Sequence, residues 1–181
     1  MHKIRQEKLI CTDDKRIDEF LCHARTGYLG LTDGELPYVV PLNFIWMNRY
    51  LYFHGAAQGR KINLIQANPN CCFTVSEDYG TMVSPIPAKT DSAYMSVMLF
   101  GELEMVSDLT EATAAMQAML DKYVPGYYDK SLSQSHVEKY RSSLGSHTMV
   151  FRLDPSVRTA KENQLNPQLS FYPGRNVGMD I

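Results

Sequence analysis

The chain has 181 residues, of which 44% are hydrophobic and 21% charged, and its formal net charge at pH 7 is −2. This length suits one domain with a substantial core, and the small net charge argues against a nucleic-acid or anionic-membrane surface. No apolar run approaches the roughly 20 residues of a membrane span, and an N-terminus without an apolar signal stretch predicts a cytoplasmic protein.

The first third of the chain predicts one helix followed by an antiparallel meander. An apolar stripe with helical spacing is formed by Ile17, Phe20, Leu21 and Ala24. This stripe predicts an amphipathic helix that ends at Gly27. An Asp33-Gly34 turn between two apolar stretches predicts a hairpin whose second strand covers residues 37–47. A second turn, at residues 48–49, leads into a strand over residues 50–54.

The middle of the chain continues this alternation of strands and helices. A helix opens at Gly59 and stops before Pro69, because proline disfavours a helical residue in front of it. A strand over residues 71–76 follows. The Gly and Pro residues of segment 78–91 predict a loop, which leads into a long strand over residues 93–106.

The last third predicts two more helices and a closing strand. Gly101 suggests a bulge in the long strand. Residues 108–111 resemble a capping box that starts a helix. Residues 135–138 resemble another, with Gly145 as the C-terminal stop of that helix. The alternation over residues 147–153 predicts a strand that joins the sheet.

Together these elements predict a mainly β protein. Six or seven strands in meander order argue against a parallel doubly wound sheet and for an antiparallel barrel with helices packed outside it. We assign residues 1–162 to this single domain. Residues 163–181 are rich in Asn, Gln, Pro and Gly, and we expect them to form a C-terminal tail or an arm on a partner.

The start of the helix after Gly59 is a candidate anion site. Arg60 and Lys61 stand in its first turn, where the positive end of the helix dipole makes cations unfavourable. An anion would reverse this effect, because free backbone N–H groups and both cations would converge on it. The alternative is that both side chains extend into water along their alkyl stems. The spacing between Gly55 and Gly59 excludes a Walker A loop, and a dinucleotide-binding Gly fingerprint is absent.

Other candidate residues lie on the neighbouring strands. Pro41 inside a strand marks an edge or a bulge, and Ser96 shares a face with Tyr94. His54 ends a strand, where a histidine is more often a surface residue than a catalyst. We find no nucleophile elbow, and the five histidines are too scattered to predict a metal site. This pattern suits a protein whose bound cofactor does the chemistry.

Several stretches in the same order resemble one protein family. They are residues 37–44 (PYVVPLNF), 51–55 (LYFHG), 59–61 (GRK), 68–69 (NP) and 94–97 (YMSV). Their combination resembles the nitroimidazole-resistance branch of the pyridoxamine 5′-phosphate oxidase-like proteins, over roughly residues 15 to 125. The resemblance implies a flavin-binding split β-barrel, with FMN or FAD held at the interface of a homodimer.

The resemblance also implies which residues surround the flavin. Carried over by position, they are Pro41, Leu42, Asn43, His54, Arg60, Lys61, Ser96 and Val97. Residues 41–43 would line the isoalloxazine edge, Arg60 and Lys61 would hold the phosphate, and Ser96 and Val97 would add contacts. His54 would lie beside the flavin as the residue on the substrate side, and it is our catalytic candidate.

The function implied is a flavin-dependent oxidoreductase that reduces a nitro-aromatic, such as a 5-nitroimidazole, or a similar small acceptor. Two alternatives stay open. One is a flavin-binding protein without turnover, and the other is a heme-binding split barrel in which His54 or another histidine ligates iron. The sequence contains no recognisable nicotinamide site that would identify the electron donor.

Overall fold

A computed structural model describes residues 4–141 and 145–181 of the chain. Its strands are β1 (Thr26–Asp33), β2 (Leu36–Asn43), β3 (Ile45–Met47), β4 (Tyr50–Ala56), β5 (Asn70–Met82), β6 (Asp91–Met105) and β7 (Thr148–Asn163). Its α-helices are α1 (Asp14–His23), α2 (Arg60–Ala67), α3 (Leu109–Tyr123) and α4 (Gln134–Lys139). None of the helices in this described part has the length and apolar character that crossing a bilayer requires.

All seven strands form one antiparallel sheet in the spatial order β2-β1-β5-β6-β7-β4-β3. The two edge strands, β2 and β3, are consecutive in the chain and are joined only by Phe44. The sheet therefore has to curl until its two edges come together at this residue, although it does not close into a full ladder. This architecture is a split barrel with helices packed against it, as the sequence predicts.

The inside of the barrel is filled by aromatic and aliphatic side chains. The Phe53 and Phe151 rings are stacked with centroids 5.1 Å apart, and Phe44 meets Phe73 edge-on at 5.4 Å. All four rings are fully buried, and truncating one such ring to alanine typically costs about 3–5 kcal/mol of folding free energy. This core supports the strands that carry the candidate site residues.

The first helix and the following strands differ in extent from the prediction. α1 ends at His23 rather than Gly27, because Gly27 belongs to β1 and faces the core. A Cβ at Gly27 would lie 2.0 Å from Phe73 Cε1, so glycine is needed there for packing. The single strand predicted over residues 37–47 is two strands separated at Phe44.

The long strands are longer than predicted. The loop expected over residues 78–91 is wrong in extent, because β5 continues to Met82 through a bulge at Gly80, whose φ is 117°. β7 continues to Asn163 rather than ending at residue 153. The bulge predicted at Gly101 is confirmed by the shift in β6–β7 register at that point. With these extensions, β5, β6 and β7 are the three longest strands and form the centre of the sheet.

The C-terminal third contains two further corrections. α4 begins at Gln134 after a cap from Ser133, not Ser135, and it ends at Lys139, well before Gly145. Residues 142–144 lie outside the described residues. The segment after β7 folds back onto the end of β5, where Val83 N–H donates to the Leu169 carbonyl at 2.8 Å. Residues 164–181, which we call the C-terminal arm, are therefore attached to the sheet.

Candidate functional site

In the part of the chain that the structure describes, the start of α2 has no side-chain cap. Gly59, in the left-handed region with a φ of 111°, precedes Arg60 and provides no side-chain cap. The first N–H groups of an α-helix have no intrahelical acceptor, and they lie at the positive end of the helix dipole. The β4 strand and the short loop after it position this helix end at one end of the barrel.

Arg60 pairs with a carboxylate and lies against an aromatic ring in this structure. Its guanidinium donates to Asp33 Oδ2 at 2.7 Å, and its Cζ lies 4.8 Å from the centre of the Tyr38 ring. Arg60 and Asp33 are about half exposed, and exposed ion pairs of this kind contribute little to stability. Arg60 would therefore have to leave Asp33 before it could contact an anion at the start of α2 beside Lys61.

Lys61 lies at the mouth of the barrel over two core rings. Its Nζ is 5.2 Å from the Phe53 ring centre and 6.0 Å from that of Phe151. Among the described residues, no carboxylate lies within 4 Å of this ammonium. Partial burial lowers the pKa of Lys61, because the charged form loses water contacts without gaining a counter-charge.

Gly55 provides the space that the Lys61 ammonium occupies. A Cβ at Gly55 would lie 2.7 Å from Lys61 Nζ, a distance too short for two non-bonded atoms. Any larger residue would therefore displace the ammonium. The small-residue loop after β4 and the position of this cation are thus coupled.

His54 lies one residue before Gly55 and contacts α3. Its Nδ1 is 3.0 Å from Met119 Sδ. A thioether sulfur has no hydrogen to donate, so Nδ1 carries the proton in this contact and Nε2 is an acceptor in the neutral ring. Burial of the ring and then the charge of Lys61 lower the pKa of His54, even though the residue as a whole is exposed. The neutral form of the imidazole is therefore favoured.

The end of β2 presents an open strand. Because β2 is an edge strand that pairs only with β1, the prediction that Pro41 marks an edge is confirmed. Pro41 and Asn43 are exposed, whereas Leu42 is partly buried opposite Gly27. Residues 41 and 43 are thus on the outer face of the sheet, where they can contact another molecule.

Ser96 and Val97 lie on opposite faces of the central strand β6. Ser96 is half-buried on the outer face, opposite Ser76. Val97 is 0% exposed and packs inside the barrel, opposite Val75. Since the side chain of Val97 is closed off by the core, only its backbone could contact a flavin, a difference that the alternation of the strand already indicates.

A row of residues with two exposed large apolar side chains, which we call the apolar row, crosses the outer face of the sheet and was not singled out from the sequence. The ladder register places four residues side by side on β2, β1, β5 and β6, namely Pro41, Tyr28, Thr74 and Met98. Tyr28 is 46% exposed and Met98 38%. The only sequence signal was the alternation of Tyr28 with buried Leu29. Large apolar side chains grouped on a surface commonly mark an interaction site.

Comparisons with solved structures agree with this architecture. A candidate 5-nitroimidazole antibiotic resistance protein of Bacteroides thetaiotaomicron is 27% identical, with a TM-score of 0.67 over 89% of this chain and 95% of its own. The flavocytochrome Anf3 of Azotobacter vinelandii is 22% identical, with a TM-score of 0.76 over 92% and 74%. A FAD- and heme-binding protein of Mycobacterium smegmatis is 18% identical, with a TM-score of 0.70 over 87% and 75%.

No curated protein sequence matches the chain significantly. The described residues contain no group of three His, Cys, Asp or Glu side chains that could share a metal ion. A family model described as pyridoxamine 5′-phosphate oxidase matches residues 13–162, which covers most of the chain. With the split barrel, this match shows that the chain belongs to the pyridoxamine 5′-phosphate oxidase family.

Proposed function

We propose that the protein binds a flavin, with FMN preferred over FAD, and reduces a small nitro-aromatic or similar acceptor. The observation that carries this proposal is the half-buried ammonium of Lys61, which has no carboxylate partner among the described residues and lies at the start of α2. Removing an ammonium from water is costly unless acceptors replace that water, and an anionic group at this position would offset the cost. The Bacteroides relative supports the choice of acceptor.

The phosphate of a flavin fits the chemistry of this helix end. The first N–H groups of α2 and the Lys61 ammonium are all donors, and a dianion would satisfy them together. Arg60 would join them only after exchanging Asp33 for the phosphate. Lys61 is therefore the principal phosphate contact in this proposal, and Arg60 is a secondary one.

The isoalloxazine ring fits the outer edge of β2. Pro41 and Asn43 are exposed there, and Ser96 offers a hydroxyl on the same face of the sheet. When bound, a flavin supplies the reversible two-electron redox chemistry that none of the side chains in this site possesses. The role of the chain is to bind the ring, orient the acceptor and shield both from water.

His54 would position the acceptor. Its neutral form is favoured and its Nδ1 is committed to Met119, so Nε2, which has no partner among the described residues, can accept a hydrogen bond from an N–H or O–H group of the acceptor. Supplying a proton would require the charged form, which the lowered pKa disfavours. The geometry therefore supports a positioning role more than a role as proton donor.

The apolar row on the outer face supports a homodimer. Pro41 belongs to this row, so a second chain that covered Tyr28 and Met98 would also cover the flavin-lining edge. The flavin would then lie between two chains. The C-terminal arm exposes Phe171, Tyr172 and Met179, and we assign it as a dimer arm that adds to the same association.

The first test is an absorbance spectrum of the purified protein, followed by mass identification of the molecule that heat releases. We expect a flavin absorbance band at about 450 nm and one FMN per chain. A Soret band would instead identify a heme protein. A colourless protein that binds neither added FMN nor FAD would contradict the proposal.

Replacing His54 with alanine should leave flavin bound and lower kcat/KM for nitro reduction about tenfold, because one positioning hydrogen bond is lost. The flavin can be reduced photochemically without oxygen, and its reoxidation by a 5-nitroimidazole with a free ring N–H can be followed by stopped flow. The matched control is His23→Ala, since His23 is an exposed histidine on α1. An unchanged rate in His54→Ala with flavin bound would show that His54 has no such role.

A further inference from the structure

Phe44 occupies the corner at which the barrel splits. It is the only residue between β2 and β3, the two edge strands, and its ring is fully buried against Phe73. Its backbone N–H and C=O lie beyond the last β1–β2 pair, formed by Thr26 and Asn43. These two polar groups therefore need partners from outside the ladder.

Tyr123, the last residue of α3, satisfies the N–H of Phe44. The Phe44 N–H donates to Tyr123 Oη at 2.9 Å, and the tyrosine hydroxyl donates to the Arg25 carbonyl. Arg25 directly precedes Thr26, so the tyrosine hydroxyl occupies the position at which the next ladder hydrogen bond would join β1 and β2. The tyrosine thus bridges β1 and β2 at the point where their paths separate.

Lys122 satisfies the C=O of Phe44. Its Nζ donates to the Phe44 carbonyl at 3.0 Å and to the Leu21 carbonyl at 3.3 Å, and it lies 4.2 Å from the Phe44 ring centre. A hydroxyl has one hydrogen, which Tyr123 gives to Arg25, so the ammonium is the donor for the Phe44 carbonyl. Burial lowers the pKa of Lys122 to about 8, since these carbonyls only partly replace water.

We propose that Lys122 and Tyr123 are positioning residues for flavin binding, because they hold the corner that places the end of β2 against the flavin. The proposal rests on the proposed function. β2 has a strand partner on one side only, so its last residues, 41–43, are fixed by the β1 ladder and by whatever holds Phe44. Neither side chain is required to touch the flavin itself.

The energetic argument concerns the order of the site before binding. A binding edge that is mobile must be ordered when its ligand binds, and this entropy cost weakens affinity. Because α3 hydrogen-bonds both backbone groups of Phe44, the end of β2 is already ordered in the folded protein, and binding does not have to order it. Releasing either group should therefore weaken flavin binding without removing a flavin contact.

The test compares FMN affinity by fluorescence quenching in the full-length protein and in Tyr123→Phe, Lys122→Met and Lys122→Arg. We expect the first two variants to bind FMN about tenfold more weakly, and Lys122→Arg to recover most of the affinity because it keeps a charged donor. The matched controls are Tyr127→Phe and Lys15→Met, which change exposed side chains and should leave affinity unchanged. Thermal unfolding without flavin separates the loss of affinity from the loss of stability.

The outcomes are distinguishable. Failure of the unchanged protein to bind any flavin would overturn the proposed function and this inference with it. Normal flavin binding together with unchanged affinity in Tyr123→Phe and Lys122→Met would overturn this inference alone. Equal loss in Lys122→Arg and Lys122→Met would also contradict it, because a retained donor should rescue the corner. If Tyr123→Phe does not fold, the two lysine variants decide the question.

Discussion

Replacing Lys61 with alanine is expected to weaken FMN binding about 100-fold while changing riboflavin binding little. The reason is that a charge-assisted hydrogen bond to the phosphate is lost, and riboflavin has no phosphate. Titration calorimetry with both ligands measures the difference directly. A similar loss for FMN and riboflavin would mean that Lys61 supports the ring or the fold rather than the phosphate.

Gly55→Ala provides a finer version of this experiment because it leaves the lysine in the chain. The added methyl would lie 2.7 Å from Lys61 Nζ and would move the ammonium off its present position. We expect an intermediate loss of FMN affinity, about tenfold, again with little effect on riboflavin. An Arg60→Ala variant should have a smaller effect than Lys61→Ala, since Arg60 is already paired with Asp33.

The affinity for FMN should also fall as the pH rises through the alkaline range. Burial lowers the pKa of Lys61, so its charge is lost at a lower pH than that of an exposed lysine. A bound phosphate favours the charged form and raises that pKa again. Binding above the free pKa therefore takes up a proton, and affinity declines with rising pH. Riboflavin binding should lack this dependence.

Charged substitutions in the outer apolar row are expected to separate the proposed dimer and to release the flavin at the same time. Tyr28→Lys and Met98→Lys would each place an ammonium in the centre of the proposed interface, where it would be removed from water. In sedimentation velocity, the main species should then be a monomer instead of a dimer, and the absorbance of bound flavin should disappear. Both substitutions are on the outer face, so the barrel core should remain folded.

Tyr127→Lys is the matched control for this second prediction. Tyr127 is also an exposed tyrosine, but it lies after α3 and outside the row. It should leave the dimer and the flavin unchanged. A Tyr28→Lys protein that became monomeric and still bound FMN normally would show that the site is complete within one chain, and the interface position of the flavin would then be wrong.

Much of the architecture follows from local patterns in the sequence. Alternation identified the strands, Pro41 identified an edge, and Gly101 identified a bulge, because these features depend on neighbouring residues and backbone geometry. The start of α2 at Arg60 likewise follows from the glycine before it. The candidate binding segment was therefore recognisable from the sequence, although its contacts were not.

The contacts depend on residues that are far apart in the chain. Arg60 pairs with Asp33, and the Tyr123 hydroxyl joins the Arg25 carbonyl to the Phe44 N–H across 98 and 79 positions. Such pairs form only when the sheet curls and α3 packs over its split corner, and no local pattern encodes this geometry. The sequence by itself determined the order of the strands, though not their ends, and the small-residue loop with its two cations. Only the tertiary structure decided that Arg60 is paired with an aspartate while Lys61 lies over the core rings, because both arrangements depend on how distant strands come together.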